Sequence, residues 1–156
     1  MAKTKKSLAF PKLQLNNFQR TIAISLPSAE KVIQFLLSHS GNKEMALHFI
    51  GKKRIAALHA HYFNDSSPTD CITFPYEDPD FLGEVFVCPQ VAAEYVKKHG
   101  GNLEKEITLY VVHGFLHLLG FDDQTERDRK KMRAEEKKWM TTLAKNKLGI
   151  TLVKND

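Results

Sequence analysis

The chain is poor in cysteine. Its two thiols, Cys71 and Cys88, stand in separate apolar runs and in no CxxC pair, which excludes a zinc knuckle or a dithiol redox motif and marks both as reduced core residues. No apolar stretch is long enough to cross a bilayer. The basic start (Lys3, Lys5, Lys6) is not followed by the apolar segment of a secretory signal, so a cytoplasmic protein with no membrane partner is expected. No repeat, low-complexity tract or linker interrupts the 156 residues, a length typical of a single domain. One domain spanning 1–156 is therefore expected. Acidic charge is in the minority: 23 Lys and Arg face 18 Asp and Glu, for a net charge of +5, which favours a polyanionic partner such as nucleic acid.

Against these absences stands HGFLHLLGFDD, residues 113–123. Successive helical turns stack residues four apart, so His113 and His117 can aim two imidazoles at one cation. Gly120 breaks the helix, and the loop beyond it can swing Asp122 or Asp123 in as a third donor. Three protein donors leave a coordination position open for water, the arrangement of a catalytic zinc site and hence of a hydrolase. The glutamate that serves zinc proteases in HExxH is missing, its place taken by Gly114, which disfavours a peptide hydrolase. Glycine there allows another segment to pack closely instead. From Ile107 to Phe121 the segment is apolar almost all round, as a central buried helix is.

The other elements read in order along the chain. Short apolar alternations occupy Leu13 to Phe18 and Ile22 to Leu26. Pro27 and Ser28 open a helix that ends near Gly41. Met45 to Ile50 is a strand, Ile55 to Phe63 a helix, and Cys71 to Phe74 and Val85 to Val87 are strands around a turn at Asp78, Pro79 and Asp80. Val91 to Lys98 follows as a helix closed by Gly100 and Gly101. Thr125, with Asp128 three residues on, caps a last helix that carries Met132, Trp139, Met140 and Leu143 inward. This order implies an α+β domain, a small mixed sheet of about four strands packed on one central helix with others around it. The last helix is rich in Arg127, Arg129, Lys130, Lys131, Arg133, Lys137, Lys138 and Lys145, interleaved with Glu126, Asp128, Glu135 and Glu136. That pattern suits either a solvated face or a phosphate-contacting one.

Three blocks carry a resemblance to a known family. HGFLHLLGFDD resembles the HGxLHLxGYDH signature of the YbeY family of bacterial ribosomal-RNA maturation endoribonucleases. PTDCITFPY (68–76) is similar to that family's PTDVLSFP, and LGEVFVCPQVA (82–92) to its LGDIxISxxxA. The resemblance covers roughly the last two thirds of the chain. It implies a metal-dependent endoribonuclease, usually described with zinc, that hydrolyses single-stranded RNA with metal-activated water in 16S rRNA maturation and ribosome quality control, alongside a ribosomal subunit or ribosomal protein. The family's three metal ligands carry over to His113, His117 and Asp123, the catalytic centre, with Asp122 orienting a ligand or the bound water.

Two departures stand out. The family's third ligand is histidine; an aspartate in its place suits zinc at about the same bond length of roughly 2.0–2.2 Å, adds negative charge that raises the pKa of bound water, and tolerates Mn2+ or iron better. In the family the helix before the PTD block usually ends in Tyr-Arg, the arginine being taken to hold the phosphate; here the pair is Tyr62 and Phe63. Arg54, His59 and His61 share that helix, and one of them, His61 foremost, is expected to face the cleft instead. Thr73 is expected to line it, with Phe74 in plain sheet packing. Two other readings fit these departures: a ribosome-associated assembly factor with a degenerate metal site, and a metal-dependent hydrolase of another substrate class.

Overall fold

A computed structural model describes residues 14–154; Leu13 and the basic start at Lys3, Lys5 and Lys6 lie outside them. Four strands, β1 (Gln14–Asn17), β2 (Glu44–Phe49), β3 (Cys71–Pro75) and β4 (Phe81–Val87), form one sheet in the order β1-β2-β4-β3. The pairs β1–β2 and β2–β4 run parallel, and β3 returns antiparallel to β4. The helices are α1 (Leu26–Ser38), α2 (Lys52–Phe63), α3 (Pro89–His99), α4 (Leu103–Leu118) and α5 (Glu126–Lys145). The expected α+β architecture is thus present, with its mixed four-stranded sheet. Among the described residues no helix is long and apolar enough to cross a membrane.

Local chemistry explains most element ends. In α1 the buried residues Ala29, Val32, Ile33, Leu36 and Leu37 repeat at helical spacing, giving one apolar face. That helix starts at Leu26, slightly earlier than Pro27 and Ser28 suggest, because the Ser25 side chain caps it by accepting the Ser28 backbone N–H. Thr125 caps α5 the same way, accepting from the Asp128 N–H at 3.0 Å. Ile22 to Leu26 is no strand: Ile24 makes only an isolated bridge to Leu152. Strand β4 begins four residues before Val85, through Gly83 at φ +143°, where a side chain would collide with the Phe74 carbonyl. A glycine inside a strand hides it from pattern reading.

Alternation along the strands sorts side chains to two faces. Met45, Leu47, Phe49, Val85 and Val87 join Val111, Val112, Phe115 and Leu116 of α4 in the main core, where all are fully buried. A smaller cluster of Ile50, Ile55, Ile72 and Cys88, with Phe74 and Phe86 against it, lies on the other side. There too the nearly buried His48 bonds Glu84 at 3.0 Å, and the Tyr76 hydroxyl donates to Glu84 at 2.7 Å. Helix α4 lies on β3 and β4 and is flanked by α3 and α5, which accounts for its apolar circumference. Both cysteines are free thiols, Cys88 buried and Cys71 half-buried.

Gly114 sets how closely α4 can lie on the sheet. A Cβ there would stand 2.5 Å from Val85 Cγ1, well inside van der Waals contact, and 3.5 Å from Thr73 Cγ2, at ordinary contact, and Val85 is a β-branched residue locked in the core. The close approach that a glycine permits is therefore realised. Gly114→Ala is expected to destabilise the fold by about 1–3 kcal/mol through overpacking, read as a fall in the urea midpoint at unchanged slope; an unshifted midpoint would show that α4 has room to spare.

Candidate metal centre

The histidine pair sits at the end of α4. The last turn closes with Leu119 as C-cap, the Gly120 N–H donating to the His117 carbonyl and the Phe121 N–H to the Leu116 carbonyl, both at 3.0 Å. This doubly bonded reversal needs a left-handed residue, which Gly120 supplies at φ +103°. Phe121 then tucks against the core, and the chain doubles back beneath the helix end. The Arg129 guanidinium holds the returning loop, donating to the Gln124 carbonyl at 3.1 Å and the Asp123 carbonyl at 3.4 Å. Asp122 accepts the Asp123 backbone N–H at 2.8 Å, fixing where the next carboxylate points.

Three donor atoms converge as a result. His113 Nε2 and His117 Nε2 lie 3.0 Å apart, and Asp123 Oδ2 is 3.5 Å from each. Donors bound at zinc's usual 2.0–2.1 Å in a tetrahedron stand about 3.3 Å from one another, so the spacing already suits one small cation. Among the described residues this trio is the group of side chains able to hold a metal ion. The sequence left Asp122 and Asp123 open; the geometry brings in Asp123 and gives Asp122 the orienting contact.

A fourth residue escaped the sequence reading. Glu136 Oε2 of α5 lies 2.5 Å from His113 Nδ1, a carboxylate behind an imidazole of the kind that fixes ring orientation and leaves Nε2 free for an ion. Glu136 is half-buried on its helix, its side chain 15% exposed. The only sequence signal for it was an acid in a basic stretch, indistinguishable from its neighbour Glu135.

These charges shape the titration of the site. Burial on its own lowers the His113 pKa; the hydrogen bond and charge of Glu136, with Asp70 and Asp123 nearby, outweigh it and hold the imidazole above its ordinary value. Burial, reinforced by Asp70, Asp123 and Glu136, pushes the Cys71 thiol well up, so this half-buried cysteine is a protonated wall residue rather than a thiolate ligand.

The trio opens into a cleft of about 380 Å³. Helix α2 contributes His59 and Phe63, the start of β3 contributes Thr69 to Thr73, and the loop after α4 contributes Asp122 to Gln124. Thr73 lines the cleft as expected, whereas Phe74 packs in the smaller cluster behind the sheet. His61 and Arg54 are not brought to it. His61 is exposed and meets Tyr62 edge-on, and Arg54 lies 4.8 Å over the Phe18 ring. Helical phase decides this: with His59 and Phe63, four apart, turned to the cleft, positions 54 and 61 point elsewhere.

The chain was then compared with known proteins. A family model described as Endoribonuclease YbeY matches residues 13–144. The chain belongs to the YbeY family. A relative of that name from Protochlamydia amoebophila is 38% identical over 145 residues, 88% of this chain and 97% of that protein. Another from Chlamydia trachomatis is 36% identical over 145 residues, 87% of this chain and 90% of that one. The solution structure of a Thermotoga maritima protein superposes with a TM-score of 0.62 at 25% identity, covering 83% of this chain and 87% of that one. These findings bear out the resemblance carried by the three sequence blocks.

Glu136→Gln keeps the size of the side chain and removes its charge. It is expected to weaken Zn2+ binding about 10- to 100-fold, measured by competition with a chromogenic chelator, with circular dichroism unchanged. A proton on His113 competes with the ion, and its pKa is raised. Affinity followed against pH is therefore expected to start falling above the ordinary imidazole value and to keep falling on acidification; Glu136→Gln moves that onset to lower pH.

Proposed function

We propose that this YbeY-family chain is a metal-dependent endoribonuclease that cuts single-stranded RNA during ribosomal-RNA maturation, with one Zn2+ held by His113, His117 and Asp123 and Mn2+ as an alternative ion. The observation that carries the reading is the near-tetrahedral spacing of three donors at the floor of an open cleft, with Glu136 behind one of them. A divalent ion held by His113, His117 and Asp123 would supply Lewis acidity toward a phosphoryl oxygen and lower the pKa of a bound water toward neutrality.

The chain's own residues do the rest. Glu136 keeps the His113 ring turned, and Asp122 with Arg129 holds the loop that presents Asp123. Strand β3 is an edge of the sheet, and with residues 69 and 70 ahead of it forms a cleft wall along which an extended, unpaired chain can lie. Peptide hydrolysis is disfavoured on steric grounds as well as for want of a proton acceptor, since position 114 has no room for a glutamate against Val85. In this reading residues 1–156 act as one domain in the cytoplasm, the net charge of +5 favouring association with a ribosomal subunit or ribosomal protein.

Two variants test the assignment. His117→Ala is expected to abolish Zn2+-dependent cleavage of a single-stranded RNA oligonucleotide and to lower Zn2+ uptake, while a double-stranded substrate resists the unaltered protein. RNA binding without any metal-dependent cut would favour the assembly-factor reading. Asp123→His is expected to keep or strengthen Zn2+ binding, measured by chelator competition; loss of the ion on that change would show that position 123 is not a ligand.

A further inference from the structure

The cleft presents a charge problem. Among the described residues its walls carry three carboxylates, Asp70, Asp122 and Asp123, and neither a lysine nor an arginine, although a phosphodiester is an anion and its transition state spreads further negative charge over the phosphoryl oxygens. A cation on His113, His117 and Asp123 uses up both imidazoles of α4. Among the described wall residues one side chain remains that can carry positive charge, His59.

We propose that His59 is the phosphate-contacting residue of this cleft, its imidazolium Nε2–H donating to a non-bridging oxygen of the scissile phosphate. The inference rests on the nuclease reading above and deepens it. The ring is already set for one role: Nδ1 lies 2.9 Å from the Ser67 carbonyl, a group that only accepts, so Nδ1 carries a hydrogen and Nε2 is the ring nitrogen left for a substrate. Ser67 is itself pinned, its N–H and hydroxyl donating to Asp65 Oδ1 at 2.9 and 2.6 Å.

The neighbourhood suits a cation. Asp65 Oδ1 is 3.9 Å from His59 Nδ1, and the two Ser67 hydrogen bonds hold the Asp65 carboxyl below its ordinary value, keeping it ionised. Phe63, one turn along α2, places its ring 5.7 Å from the imidazole, within the range at which an aromatic ring attracts a cation. The charged groups around the cleft are Asp65 in the loop after α2, Asp70 ahead of β3, His113 and His117 on α4, and Asp122 and Asp123 beyond it. With the two α4 histidines engaged by the ion, the remaining charged groups are all acids.

The test uses the full chain loaded with Zn2+ and a fluorescent single-stranded RNA oligonucleotide, with kcat and KM measured separately. His59→Gln is expected to lower kcat/KM about 100- to 1000-fold, with Zn2+ affinity unchanged. His59→Arg is expected to recover most of the rate, and Phe63→Arg added to His59→Gln to restore cleavage by setting a guanidinium one turn away on the same wall.

Cleavage by His59→Gln at the unaltered rate overturns the proposal. So does a loss that neither arginine repairs, which would leave His59 as a mere staple of the 65–67 loop. Should the unaltered protein cut nothing, the nuclease reading fails separately; the His59 assignment is then read from RNA affinity, and equal affinity of His59→Gln, His59→Arg and the unaltered chain overturns it.

Discussion

The reversal of the chain at Gly120 governs the site. Two imidazoles four residues apart need only a helix, but the third donor lies beyond its end and must come back to the same point. The paired hydrogen bonds to the Leu116 and His117 carbonyls, the positive φ of Gly120 and the partial burial of Phe121 together direct that return. Arg129 and Asp122 then hold a loop whose carboxylate would otherwise be free to point to solvent. The geometry required of a metal site is thus present in the protein scaffold, so little reorganisation is needed on binding.

A second constraint acts at the other side of the helix. Close seating of Gly114 on Val85 and Thr73 brings α4 down onto β3 and β4, and that short distance puts the start of β3 beside the histidines and makes one cleft of them. Glu136 reaches His113 from α5 for the same reason, since α5 packs along the central helix. The geometry of the candidate site and the packing of the core are therefore the same contacts seen from two sides. The carboxylates around the cleft favour a cation and oppose an anionic substrate, which places the burden of binding phosphate on the ion and on His59. Most basic side chains of the chain lie elsewhere, and one of them, Arg129, is occupied in holding the loop.

Much of this was legible in the sequence. The helices and strands follow from apolar spacing and capping residues, and their order implies the mixed sheet. Misreadings arose where local rules are silent: the early start of β4 through Gly83, and an Ile22–Leu26 alternation that finds no strand to pair with. The paired histidines and the aspartates beyond Gly120 were visible because helix geometry is local. On sequence His61 ranks ahead of His59 and Arg54 although all three share one helix, and only the direction in which α2 faces the sheet separates them.

The sequence by itself determined which elements form, that α4 is central, that two imidazoles share a face, and that the chain turns after them. Each of these depends on neighbours within a few residues. Tertiary structure alone decided that Asp123 rather than Asp122 meets the pair, that Glu136, 23 positions from His113, stands behind it, and that His59 is the basic side chain of α2 turned into the cleft. Those outcomes depend on how helices are rotated and seated against the sheet, a property of the packed core as a whole that no short stretch of residues encodes.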